Sequence, residues 1–93
     1  MTLRRFIIER DMPAVGTLGQ AELSGAAAKS NEALAALAPA VQWVESFVAS
    51  DKTFCVYLAE DEDAIRRHAE ISGFPASRIT AVARMIDPTT AHA

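Results

Sequence analysis

The spacing of apolar positions changes several times along the chain. Arg4 to Arg10 (Arg-Arg-Phe-Ile-Ile-Glu-Arg) crowds β-branched and aromatic residues together and predicts a strand. Asp11-Met12-Pro13 ends it, because proline offers no N–H to a ladder and restricts the residue before it. Pro13 to Gly16 reads as a loop. A helix is predicted from Thr17, whose hydroxyl and Gln20 form a capping-box pattern, and alanine is dense from Gln20 to Leu37. Leu18, Ala21, Gly25, Ala28, Leu34 and Leu37 make its expected inner stripe, with Glu22, Lys29 and Glu32 outside it. Small residues in that stripe imply close packing on a sheet, and Ala38-Pro39 ends the helix.

Val41 to Ala49 and Thr53 to Ala59 predict two further strands across the short break Ser50-Asp51-Lys52, a gap that joins antiparallel neighbours. With Asp51 and Lys52 as the loop, Ala49 would face Phe54, Phe47 would face Val56, and Ser46 would face Tyr57. One face would then carry Trp43, Glu45, Phe47, Phe54, Val56 and Leu58, the other Val44, Ser46, Val48, Cys55, Tyr57 and Ala59. Both faces are largely apolar, whereas a sheet with one wet face alternates apolar and polar residues. Helices can cover one face. A second copy of the chain is the simplest cover for the other, which predicts a homodimer through the sheet face.

Asp61 reads as the N-cap of a second helix, with Glu62 and Asp63 in its first turn. Ala64, Ile65, His68, Ile71 and Ser72 form its stripe, Gly73 supplies the left-handed end, and Phe74-Pro75 follows. A last strand is expected from Ile79 to Ile86, stopped by Asp87-Pro88, with a frayed tail over 89–93. The resulting order, β-α-β-β-α-β, is the ferredoxin-like α+β plan: a four-stranded antiparallel sheet with two helices on one face, reached by right-handed crossovers. Ninety-three residues make one domain, with a core over about 4–88.

Composition narrows the function classes. Net charge is −3, the wrong sign for a nucleic-acid module. No apolar run approaches the ~18 residues of a membrane span, and the apolar stretch near the start is too short for a secretory signal. A single cysteine forms no internal disulfide and points to the cytoplasm. It also excludes an iron–sulfur ferredoxin and a Cys-x-x-Cys metal chaperone. Glycines 16, 19, 25 and 73 form no phosphate loop.

Three residues stand out as candidates for chemistry. His68, near the apolar stripe of the second helix, is either a metal ligand or acid–base group, or a half-buried histidine donating to a backbone carbonyl. Cys55, mid-strand between Phe54 and Val56, is either a soft ligand or redox thiol, or a small buried hydrophobe. Glu45, flanked by Trp43 and Phe47, needs a partner: it is a ligand, a base with a raised pKa, or half of an ion pair with Arg5, Arg10 or Arg84. Tyr57 is expected to pair with Ser46, and Arg66 with Glu70. Glu9 and Arg10 put opposite charges on opposite faces.

Val41-Gln42-Trp43-Val44, Ser46, Asp51-Lys52, Cys55-Val56-Tyr57, Ala64-Ile65-Arg66, His68-Ala69, Gly73-Phe74-Pro75 and Ile86-Asp87-Pro88 together form a pattern spanning nearly the whole chain. It resembles the small bacterial family catalogued as a domain of unknown function and often named nickel-binding proteins. The resemblance implies a ferredoxin-like fold, a dimer through the sheet face and Ni2+ as a bound ion, with no established reaction. Where the family pattern carries His and Tyr, this chain carries Glu45 and Phe47. Imidazole suits nickel and a lone carboxylate suits harder ions, so His68 and Cys55 are left as the nitrogen and sulfur candidates.

The sequence thus supports a cytoplasmic homodimer that binds a small ligand or a divalent metal, with His68, Glu45 and Cys55 as metal donors. One alternative is a cofactor-independent enzyme of the dimeric α+β barrel kind, acting on a small organic substrate in a cavity lined by Trp43 or Tyr57, with His68 moving the proton. The other is an interaction domain with no site. Neither nucleic acid nor membrane is an expected partner.

Overall fold

The structure, a computed structural model, describes residues 2–92. Six elements carry the fold: β1 (Arg4–Asp11), α1 (Gln20–Leu37), β2 (Val41–Val48), β3 (Lys52–Ala59), α2 (Glu62–Ser72) and β4 (Arg78–Ala81). The strands form one antiparallel sheet in the order β2-β3-β1-β4, the ferredoxin-like arrangement. Phe6 and Ile8 of β1, Val41 of β2, and Cys55, Tyr57 and Ala59 of β3 form one buried face. Ala64 and Ile65 of α2 pack on it, with Leu34 and Leu37 of α1 at its margin. No described helix is long and apolar enough to cross a membrane.

The α2 boundaries follow their local chemistry. The Asp61 carboxylate accepts from the Ala64 N–H at 2.8 Å, and Gly73 closes the helix at φ 79°. Only a residue without Cβ takes that left-handed conformation at no steric cost. Ile71, expected on the inner stripe, is exposed instead.

Helix α1 departs from its expected start. Thr17 lies in a short 3-10 turn over Val15–Thr17, and its hydroxyl donates to the Ala14 carbonyl at 2.7 Å. The N-cap is Gly19, whose N–H donates to the Glu22 carboxylate at 3.2 Å. The inner face is correspondingly rotated: Ser30 and Ala33 are buried, while Ala21, Gly25 and Ala28 face out.

The β2–β3 hairpin turns at Ser50-Asp51, with the Ala49 N–H bonded to the Lys52 carbonyl at 2.9 Å. Phe47 therefore faces Phe54, and Ser46 faces Cys55. A bulge lies between Trp43 and Glu45, so that Trp43 faces Tyr57 while Glu45 faces Val56. The extra residue, Val44, reverses the side-chain alternation. Trp43 consequently joins the helix-covered face, opposite to expectation, whereas Glu45, Phe47, Phe54 and Val56 share the other.

Strand β4 stops at Ala81, short of the expected Ile86, with one further bond from the Val82 N–H to the Arg5 carbonyl. Its partner explains this: in the Phe6–Ala81 register, residues past Ala83 would meet chain upstream of Arg4, where β1 has not begun. The expected frayed tail instead winds a 3-10 turn over Pro88–His92, and its last residue, Ala93, lies outside the described residues.

Candidate functional site

A cavity of about 230 Å3 opens between α1 and the sheet. From α1 it is lined by Leu23, Ala26, Ala27 and Ser30, and from the sheet by Trp43, Ser46, Val48, Thr53, Cys55 and Tyr57. Met12, Val15, Leu18 and Phe74 complete it. The short side chains of Ala26, Ala27 and Ser30 explain the space, since a larger inner face would fill it. The β2 bulge explains why Trp43 is in the wall. Its indole N–H donates to the Ser46 hydroxyl at 2.9 Å, so Ser46 serves Trp43 and not Tyr57.

Two of the lining residues, Ser30 and Tyr57, belong to a buried polar group of four side chains. Ser30 Oγ lies 3.1 Å from His68 Nε2 and 3.5 Å from Tyr57 Oη. The Tyr57 and His68 rings pack with centroids 5.1 Å apart. Arg10, only 3% exposed, donates to the Pro75 carbonyl at 2.8 Å, the Phe74 carbonyl at 3.4 Å and Tyr57 Oη at 3.5 Å. It makes no ion pair among the described residues; the acidic partners there go to Lys52, Arg66 and Arg78.

The electrostatics follow from burial. His68 is fully enclosed, and its pKa is pushed down to about 4, first by loss of solvation and then by the Arg10 charge. Its ring is therefore neutral at pH 7. Burial raises the Tyr57 phenol, opposed by the Ser30 hydrogen bond and the Arg10 charge. Nδ1 of His68 is buried with no hydrogen-bond partner among the described residues.

The three expected site residues sit in three different settings. His68 lies behind Ser30, bonded to a hydroxyl and not to a backbone carbonyl. Cys55 is buried in the cavity wall, with Thr53 Oγ1 3.5 Å from its sulfur. Glu45 is exposed on the opposite sheet face and pairs with no basic residue among those described. Arg66 pairs with Glu62 at 2.7 Å, not with Glu70. Two members of the polar group, Arg10 and Ser30, were absent from the sequence candidates. Arg10 was accessible in principle: it follows Phe6 and Ile8 at the two-residue period of one strand face. Ser30 carried no signal beyond its place in an alanine-rich helix.

The family described as SCO4226-like, nickel responsive protein SCO4226-like, matches residues 6–82. The chain belongs to that family. The match contains all four members of the buried polar group. A crystal structure of SCO4226 from Streptomyces coelicolor A3(2) aligns with a TM-score of 0.74 over 88% of this chain and 99% of that one, at 18% identity. That likeness bears on the fold. No curated protein matches the chain.

The family description names nickel, so the donors of this chain bear directly on it. Among the described residues no three His, Cys, Asp or Glu side chains gather where one ion could be held. Glu45 is separated by the sheet from Cys55 and His68. Within a single chain the three expected donors, His68, Glu45 and Cys55, thus do not meet at one point.

Proposed function

We propose that the protein is a small-ligand-binding protein, and that each chain takes up a mostly apolar organic molecule between α1 and the sheet. One observation carries this reading: the 230 Å3 cavity is walled by apolar side chains and meets hydrogen-bonding groups at Ser30 and Tyr57. An apolar site with a few convergent polar groups is the usual form of a small-molecule pocket. By scale, a cavity of about 150 Å3 takes up benzene, so this one has room for a ring with a short substituent. The neutral His68 supports binding more than proton abstraction, because a base with a pKa about 4 is weak at pH 7. Trp43, the single tryptophan, lines the cavity and reports on it. Titration with small aromatic ligands is expected to change its fluorescence saturably, and Ala27→Leu, which fills the cavity, to abolish the change. A linear, non-saturating response in the native protein counts against the reading.

The same proposal includes a homodimer through the uncovered sheet face. Ile7 (38% exposed), Phe47 (56%) and Phe54 (37%) leave apolar surface on that side, which a second copy would bury.

A second reading is favoured by family membership: Ni2+ binds, with His68, Glu45 and Cys55 as candidate donors and a second chain completing the set. Thermal unfolding with nickel, cobalt or zinc tests it, together with elemental analysis of protein purified without an affinity tag. A rise in melting temperature that His68→Ala removes supports it. The absence of any shift and of any bound metal contradicts it.

A further inference from the structure

Arg10 is a buried cation with no carboxylate to answer it among the described residues. Burying an unpaired charge is costly, and here neutral carbonyls carry most of the compensation. The guanidinium sits beside Tyr57, 5.8 Å from its ring centroid, and Tyr57 is part of the cavity wall. Phe74, whose carbonyl accepts from Arg10, is part of that wall as well.

The proton positions follow from which atom would be left unpaired. If Nε2 of His68 donates to Ser30, the buried Nδ1 is a bare lone pair. If it accepts, Nδ1 is a buried N–H with no partner, which folded proteins rarely contain. In the first arrangement the Ser30 hydroxyl keeps its own proton and one lone pair, so its contact with Tyr57 Oη runs in either direction, while that oxygen also receives an Arg10 N–H. Both contacts to that oxygen are 3.5 Å, long for hydrogen bonds. With the Ser30 proton on Oη, the phenol's own proton has no acceptor among the described residues. In that arrangement the Tyr57 part of the cavity wall holds an O–H donor free for a ligand, with the buried Arg10 charge beside it.

We infer that the cavity selects an organic acid: a small, mostly apolar molecule whose carboxylate accepts from the Tyr57 hydroxyl and answers the Arg10 charge. This rests on the cavity being the binding site and specifies the class of its ligand. A neutral molecule of the same shape fills the apolar walls equally but leaves the cation unanswered. Charge-assisted hydrogen bonds are about twice as strong as neutral ones, so the difference is measurable.

The test compares phenylacetate with phenylacetamide by calorimetry at pH 7.5, for the native protein, Arg10→Met and Tyr57→Phe. The acid is expected to bind at least tenfold more tightly than the amide, with each substitution bringing the two to within about threefold. Because Arg10 also holds the Phe74-Pro75 segment, Arg10→Met can fail to fold; Tyr57→Phe keeps the ring and then decides the matter. Equal affinities in the native protein, or a preference that survives Tyr57→Phe, overturn the acid inference and leave the cavity standing. Rejection of both molecules, with toluene and indole also excluded, overturns the cavity reading and this inference with it.

Discussion

Ser30 of α1 and His68 of α2 meet at 3.1 Å, and through this contact the two helices share one buried polar group beneath the sheet. The histidine is neutral there because burial and Arg10 both oppose its charged form.

Acid sensitivity follows. Above the ordinary histidine pKa of 6.5, His68 is neutral folded and unfolded, so nothing is lost. Between 6.5 and about 4 the unfolded chain binds a proton that the folded one refuses, so stability falls as pH drops through that window. The full loss from this residue is about 3 kcal/mol. Urea midpoints at pH 7.5 and 4.5 measure it, and His68→Gln is expected to flatten the difference. An unchanged slope in that variant removes His68 as the cause.

Ser30→Ala deletes the hydroxyl that lies between His68 and Tyr57. The buried His68 ring nitrogen loses its partner and the Tyr57 phenol keeps only its long Arg10 contact, at a cost of about 1–3 kcal/mol. Denaturant unfolding reads this, and a value below about 0.5 kcal/mol would mean the contact is not formed in solution.

Phe47→Glu tests the homodimer. Phe47 is 56% exposed and faces Phe54 on the uncovered side of the sheet. Sedimentation is expected to give twice the 10.0 kDa chain mass for the native protein and a single chain for the variant. A native protein that already sediments as one chain ends the dimer proposal.

Two glycines are expected to respond to alanine with opposite signs. A Cβ at Gly16 would stand 2.7 Å from the Ala49 carbonyl oxygen, so Gly16→Ala must push the Met12–Thr17 loop off the hairpin and destabilise the fold. At Gly25 a Cβ meets nothing within 4 Å, and Gly25→Ala in the middle of α1 is expected to stabilise by about 1 kcal/mol. Thermal melts of the two variants give the comparison directly.

The element order was legible because each element advertises itself locally. Phe6, Ile7 and Ile8 read as a strand, the alanine run as a helix, and Asp61 and Gly73 mark the ends of α2 as the structure has them. The errors lie where one element depends on another. The bulge at Val44 depends on how β2 pairs with β3, and by moving Trp43 across the sheet it decides the wall of the cavity. The start of β1 at Arg4 bounds β4, which has no strand to pair with past Ala83.

The candidate site shows the same division. The sequence alone determined the fold plan and singled out His68 and Cys55 as unusual, because residue type and periodicity act over a few neighbours. Only the tertiary structure joined Arg10, Ser30, Tyr57 and His68, which come from four different elements. It also put Glu45 on the far side of the sheet. Burial decides charge and partnership in such a group, and burial depends on the packing of all the elements at once.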